Sequence, residues 1–286
     1  MRFLNIKTDY AFKKVFGSEN SKGILKSFLN STLDLQSPID DLKIVDPYNV
    51  PKLRGMKETA VDVKAILEDK TKVIIEMQIL NHDGFESRIL YNTAKNYANQ
   101  LDRGIEYKLL NPVIALTIVN FKMFQFDKYK SLFALLEKEN FSEYKDDIRL
   151  QFIELPKFKK TIEECNTIED KWIYFIKNAR GMEVAPAFKD PNLIEAVAIA
   201  NTASMTKEEL EIQDKREEFL FIQRNSIEKA KRESREEGLE EGLERGIEKG
   251  ILETAITMIK EFNLSAEVVA KKLNISIDQL KKHLSE

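Results

Sequence analysis

Three polar residues stand where acid and metal-holding chemistry could meet: Asp62, Glu76 and Gln78. They lie in two aliphatic, largely β-branched runs, Val61 to Leu67 and Val73 to Ile79, separated by the charged turn Glu68-Asp69-Lys70-Thr71-Lys72. Such runs read as the two strands of a hairpin. Side chains alternate faces along a strand, so Asp62 and Lys64 share one face while Val61, Val63, Ala65 and Leu67 take the other. On the second strand Glu76 and Gln78 lie together, opposite Val73, Ile75, Met77 and Ile79. A hairpin then sets Asp62 beside Glu76. Two converging carboxylates with the Met77 backbone carbonyl suit a hard divalent cation, Mg²⁺ with Mn²⁺ as the alternative, which takes oxygen ligands and keeps several waters. Such an ion activates water and stabilises an anionic phosphoryl transition state. The same alternation also describes an ordinary hairpin with one wet face.

The elements that must position these residues follow from the pattern on either side. Asp9 to Phe16 reads as a short helix stopped by Gly17, with Asp9, Phe12, Lys13 and Phe16 at i, i+3, i+4 and i+7. Its charged members read equally as a dipole-favouring acid and a snorkelling lysine. A second helix is expected over 21–33 and a strand over 42–45. The loop before the hairpin carries Lys52, Arg54 and Lys57, three cations suited to phosphates or to plain solvation. After the hairpin, residues 86–103 read as a helix with Leu90, Ala94, Tyr97 and Leu101 as its apolar stripe. Arg88 and Tyr91 lie one turn apart near its start. Residues 112–119 are nearly continuous in apolar, largely β-branched types, the mark of a strand covered on both faces. A further strand is expected over 149–155. The order of elements predicts a mixed α/β sandwich.

Asp62, then Glu76-Met77-Gln78, then a helix opening with Arg88-Ile89-Leu90-Tyr91, all preceded by Lys7-Thr8-Asp9-Tyr10-Ala11-Phe12-Lys13-Lys14-Val15-Phe16-Gly17, resembles the PD-(D/E)xK nuclease superfamily. The resemblance is to its bacterial branch of recombination-promoting nucleases and transposases, and it covers roughly the first two thirds of the chain. It implies a restriction-endonuclease-like core, a mixed sheet flanked by helices, here with a helical C-terminal extension. It also implies Mg²⁺-dependent hydrolysis of phosphodiesters in double-stranded DNA. Asp62 and Glu76 would then hold the ion, Asp9 would approach it from the first helix, and Arg88 and Tyr91 would sit close to the active site. One departure matters: the lysine expected two residues after the Glu is Gln78. Lys64 or Lys13 would have to restore that charge. Gln78 also leaves room for a reading from a different class, a catalytically degenerate nuclease fold kept for DNA binding or assembly.

Composition sets the outer bounds. Of 286 residues, 43% are hydrophobic and 33% charged, as in a soluble globular protein. The longest apolar stretch, Pro112 to Phe121, is well short of the ~20 residues of a membrane helix. The first residues have no apolar signal region, so cytoplasmic residence is expected. One cysteine, Cys165, excludes an internal disulfide, and with only His82 and His283 beside it no Cys/His zinc site can form. No small-molecule cofactor is called for. Residues 1–130 hold 20 Lys and Arg against 16 Asp and Glu, whereas 131–286 hold 25 against 32, so the half with the candidate site is the basic one. That balance permits a phosphate backbone.

Four segments are expected: the nuclease-like core at 1–158, a helical extension at 159–205, a long charged helix at 206–262, and a small helix-turn-helix-like tail at 263–286. Thr206 and Glu209 form a capping box at the start of the long helix. Inside it Gly238, Gly242, Gly246 and Gly250 recur every four residues, each followed by Leu or Ile. Four helical glycines cost about 4 kcal/mol relative to alanine, so something should compensate. Close contact with a second copy, giving a homo-oligomer, does so; a partly frayed linker is the alternative. In the tail, Ser265 caps one short helix, and Asn274 can end it in a left-handed conformation. That hairpin suits a DNA groove or association equally.

Overall fold

The computed structural model describes residues 3–49, 59–101 and 106–284. Two helices open the chain, α1 (Asp9–Phe16) and α2 (Lys22–Thr32). The strands β1 (Leu42–Val45), β2 (Tyr48–Asn49), β3 (Thr59–Ala60), β4 (Val63–Leu67) and β5 (Lys72–Gln78) follow, then α3 (Phe85–Ala98). Next come β6 (Val113–Val119), β7 (Lys130–Phe133) and β8 (Ile148–Glu154). Helices α4 (Ile168–Asn178), α5 (Pro191–Ala200), α6 (Lys207–Phe262), α7 (Ala266–Leu273) and α8 (Ile277–Leu284) complete it. The chain divides into two compact units, one to Glu218 and one from Phe219.

The first unit is built on a six-stranded mixed sheet ordered β1-β4-β5-β6-β8-β7. β1, β4 and β5 are antiparallel neighbours; β5, β6 and β8 run parallel; β7 returns antiparallel on β8. Parallel pairing of β5 with β6 requires a crossover, and α3 supplies it. The hairpin register places Val63 opposite Ile75 and Ala65 opposite Val73, so their aliphatics enter one core. That core is closed by Phe12, Phe16, Phe28 and Trp172, whose rings meet at centroid distances of 4.7 to 5.8 Å. Trp172 lies on α4, and Leu193, Ala196 and Val197 of α5 join the same core, so both helices belong to the sheet's main packing layer. All seven residues of β6 are buried, as its unbroken apolar run requires.

On the opposite face, Ile74, Ala115, Val119 and Phe152 receive Phe85 and Ile89 of α3. The buried residues of α3 are Phe85, Ile89, Asn92, Thr93, Lys95 and Asn96, while Leu90 is 54% exposed. The expected stripe through Leu90 and Ala94 is therefore wrong by about one residue, because the face turned to the sheet is partly polar and the apolar period marks the other side. β7 was not expected either; it is a short edge strand with little burial to pattern its sequence.

The first turns of α6 also belong to this unit. The Thr206 and Glu209 capping box forms as expected, the Thr206 amide donating to Glu209 at 3.0 Å and the Glu209 amide to Thr206 Oγ1 at 3.2 Å. Gln213 is 4% exposed and accepts from Thr8 Oγ1 at 3.3 Å; Arg180 holds both carboxylate oxygens of Glu217. In the second unit, Ala255 of α6 packs with Val269 and Ala270 of α7 and Leu280 of α8. Ser265 caps α7, and Asn274 ends it at φ 54°, both as the sequence requires. Among the described residues no helix is long and apolar enough to cross a membrane.

Candidate active site

The site forms where β5 runs past the beginning of β4. Asp62 precedes β4, and its amide donates to the Ile75 carbonyl at 3.0 Å, so its side chain is delivered to the β5 edge. There Oδ2 accepts from the Met77 amide at 2.8 Å. A residue's N–H and C=O lie on the same side of a strand, so the Met77 carbonyl faces that edge too. The other carboxylate oxygen of Asp62 faces the Lys13 ammonium at 3.4 Å. Lys13 reaches it from α1, whose Phe12 and Phe16 are buried in the aromatic core and fix the helix orientation.

Glu76 projects from β5 on the α3 side, where Arg88 Nη2 donates to its Oε1. The same Nη2 donates to Gln78 Oε1 at 3.0 Å, and Gln78 Nε2 donates to the Leu80 carbonyl at 2.8 Å. Gln78 is thus held at both ends. The Arg88 guanidinium carbon lies 5.3 Å from the centre of the Phe85 ring, a cation–π contact that steadies it. Arg88 thus places a positive charge against the side chain of Gln78.

Burial dominates the electrostatics of both acids. Desolvation raises the Asp62 carboxyl above the ordinary aspartate value, against the Met77 hydrogen bond and Lys13, which lower it. Glu76 is pushed up to about 7, again by burial first, with Arg88 opposing and the nearby Asp62 adding to the rise. Glu76 thus feels the Asp62 charge as well as Arg88 and Lys13, and in both acids the cations fail to offset burial. A further cation would be favoured there.

The other expected residues are distributed as follows. Asp9 lies near enough to Asp62 to raise its pKa, but its own carboxylate is paired with Arg216 of α6 at 2.7 Å. The expected alternation breaks at Asp62, which precedes β4: Val61 packs on the α3 side and Val63 in the opposite core, so the strand period does not put Lys64 on the face of Asp62; burial lowers the Lys64 pKa, with Asp46 opposing. Of the two lysines expected to restore the charge, Lys13 is the one that faces Asp62. Tyr91 is 41% exposed with the Lys95 ammonium 5.9 Å from its ring, outside the cluster around Glu76. Lys52, Arg54 and Lys57 lie outside the described residues. Arg216 was not foreseen: it is more than 200 residues from Asp9 in the chain, and nothing local marks it among the other cations of α6.

Among the described residues no group of three or more His, Cys, Asp and Glu side chains gathers as a metal centre. The two buried acids and the Met77 carbonyl nonetheless form an oxygen-only donor set, which fits a hard divalent ion that keeps part of its water shell. The arrangement can do two things chemically: hold such an ion against β5, and present two cations, Lys13 and Arg88, to an anionic substrate.

No curated protein and no solved structure gives a significant match to the chain. The family model for PD-(D/E)XK nuclease family transposases matches residues 6–230, a span that takes in α1, the hairpin, α3 and the docked root of α6. With the sheet order and the Asp62, Glu76 and Gln78 edge in place, the chain belongs to the PD-(D/E)XK nuclease family of transposases.

Proposed function

We propose that this chain is a divalent-metal-dependent endonuclease that hydrolyses phosphodiester bonds of double-stranded DNA in a recombination or transposition event. The observation that carries the reading is the convergence of Asp62 and Glu76 on the β5 edge, both raised by burial and Glu76 raised further by the Asp62 charge. Asp62, Glu76 and the Met77 carbonyl would hold Mg²⁺ or Mn²⁺. When bound, the ion supplies Lewis acidity and neutralises charge that develops on the scissile phosphate. Lys13, at the rim of the site, binds a phosphate oxygen once Asp62 no longer needs it. Arg88 provides a positive charge close to the reacting phosphate, where the family pattern has a lysine. Gln78, tied to Leu80, uses its remaining lone pair to orient the attacking water.

The experiment is nicking of supercoiled plasmid in Mg²⁺ by wild type, Asp62→Ala and Glu76→Ala. Wild type is expected to nick and both variants to fall to the background without protein; equal activity in all three removes the assignment. Gln78 in place of lysine, with Lys13 and Arg88 already covering the two acids, favours the second reading, a non-catalytic module for DNA binding or assembly. Calorimetric titration with MnCl₂ separates the two, since a degenerate site takes up no ion and gains nothing from Asp62.

The partner we propose for the second unit is another copy of this chain. Within the unit, nothing lies within 4 Å of a Cβ built on Gly238, Gly242, Gly246 or Gly250. Leu239, Leu243 and Ile247 beside them are 53 to 74% exposed. Two copies meeting on this stripe would tether two nuclease heads, which suits cutting both strands of a duplex.

A further inference from the structure

The face of α3 that meets the sheet is polar where packing calls for apolar side chains. Arg88, Asn92 and Asn96 follow at four-residue spacing and so share one face, and Asn92 and Asn96 are each 2% exposed. Asn96 Nδ2 donates to the Asn92 carbonyl at 2.8 Å. The Asn92 side chain has no such use: its Oδ1 and Nδ2 are buried without a hydrogen-bond partner among the described residues, and so is Nε of Arg88. A buried donor and a buried acceptor one helical turn apart, both unsatisfied, are an arrangement that folding penalises. Side chains on a helix lean toward its N-terminus, so the Asn92 amide leans toward the turn that carries Arg88. The far end of the guanidinium is meanwhile engaged on Glu76 and Gln78.

We propose that Asn92 is a positioning residue for Arg88, its amide oxygen taking the Nε–H when a divalent cation displaces the guanidinium from Glu76. The inference rests on the metal-dependent reading of Asp62 and Glu76. A cation and Arg88 compete for the same carboxylate, so loading requires a resting place that keeps the guanidinium near the site. Asn92 is that place: it lies one helical turn from Arg88, its Oδ1 can accept, and its side chain is unengaged. The unsatisfied pair of the present state is then satisfied in the loaded one.

The test is calorimetric titration of full-length protein with MnCl₂, comparing wild type, Asn92→Leu, Arg88→Lys and the double variant. Leucine is close to asparagine in size and removes both unpaired groups, so Asn92→Leu should melt no lower than wild type. It should bind Mn²⁺ about tenfold more weakly, as loss of a residue that orients a ligand's neighbour does. Lysine keeps the charge of Arg88 but has no Nε, so adding Asn92→Leu to Arg88→Lys should change nothing further. Equal affinity of wild type and Asn92→Leu overturns the inference, as does a loss of equal size in both backgrounds. Asn92→Ala, which also cannot accept, gives the same comparison if leucine does not fit. Wild type that takes up no Mn²⁺ removes the metal reading and this inference with it, whereas binding that is insensitive to Asn92 removes this inference alone.

Discussion

At the scale of single residues, Glu76 makes the sharpest demand on the fold. Its ordinary value is 4.5 and burial lifts it to about 7, with Arg88 offsetting only part of the rise. Between those values the folded protein holds a proton that the unfolded chain has released, so stability falls as pH rises through the window. The change is up to about 3 kcal/mol for Glu76, and Asp62, also raised, adds to it in the same direction. Denaturant midpoints of metal-free protein should therefore drop from pH 4.5 to 7, and Glu76→Gln should flatten most of that slope. Mg²⁺ affinity should climb over the same range, because the carboxylate must ionise to bind; stability independent of pH there would show that Glu76 is not strained by burial. The two lysines separate on geometry. Lys13 faces Asp62, whereas burial chiefly sets the Lys64 ammonium with Asp46 opposing it, so Lys13→Ala should slow nicking while Lys64→Ala stays near wild type. The reverse ranking would return the role to Lys64.

At the scale of elements, the root of α6 has a structural role in the first unit. Glu209 meets Lys14 and accepts from Tyr10 at 3.2 Å, Gln213 is buried against Thr8, and Arg216 meets Asp9. A chain ending at Met205 would strip partners from α1 and from Arg180, whereas one ending at Glu218 keeps them. The shorter chain should melt several degrees lower, the shift that a loss of about 1 kcal/mol or more gives; equal melting would make the root ornamental to stability. The hairpin was readable from sequence because one of its faces is buried, and burial fixes which alternate residues must be apolar. α1 was readable because Phe12 and Phe16, two of its four buried residues, are large aromatics at helical spacing. α3 was misread for the opposite reason: its buried face carries Asn92, Thr93 and Asn96, so apolar periodicity marks Leu90 on the solvent side. Contacts such as Asp9 with Arg216, or Arg88 with both Glu76 and Gln78, depend on how elements pack, and spacing alone does not encode them.

At the scale of the whole molecule, the second unit carries a glycine stripe that is open within that unit. Light scattering of full-length protein should give a dimer or higher species, and the chain ending at Glu218 a monomer. Gly242→Ala with Gly246→Ala should raise helix propensity by about 2 kcal/mol in sum while abolishing association, if the stripe is a close backbone contact. Association unchanged by both substitutions would reduce the stripe to a linker. The central claim lies in the first unit, that Asp62 and Glu76 share one divalent ion. Anomalous diffraction from crystals soaked in MnCl₂ tests it most directly. The account predicts a single peak about 2 Å from a carboxylate oxygen of each residue, with Arg88 withdrawn from Glu76; no peak there, with Arg88 still on Glu76 at saturating Mn²⁺, would contradict it.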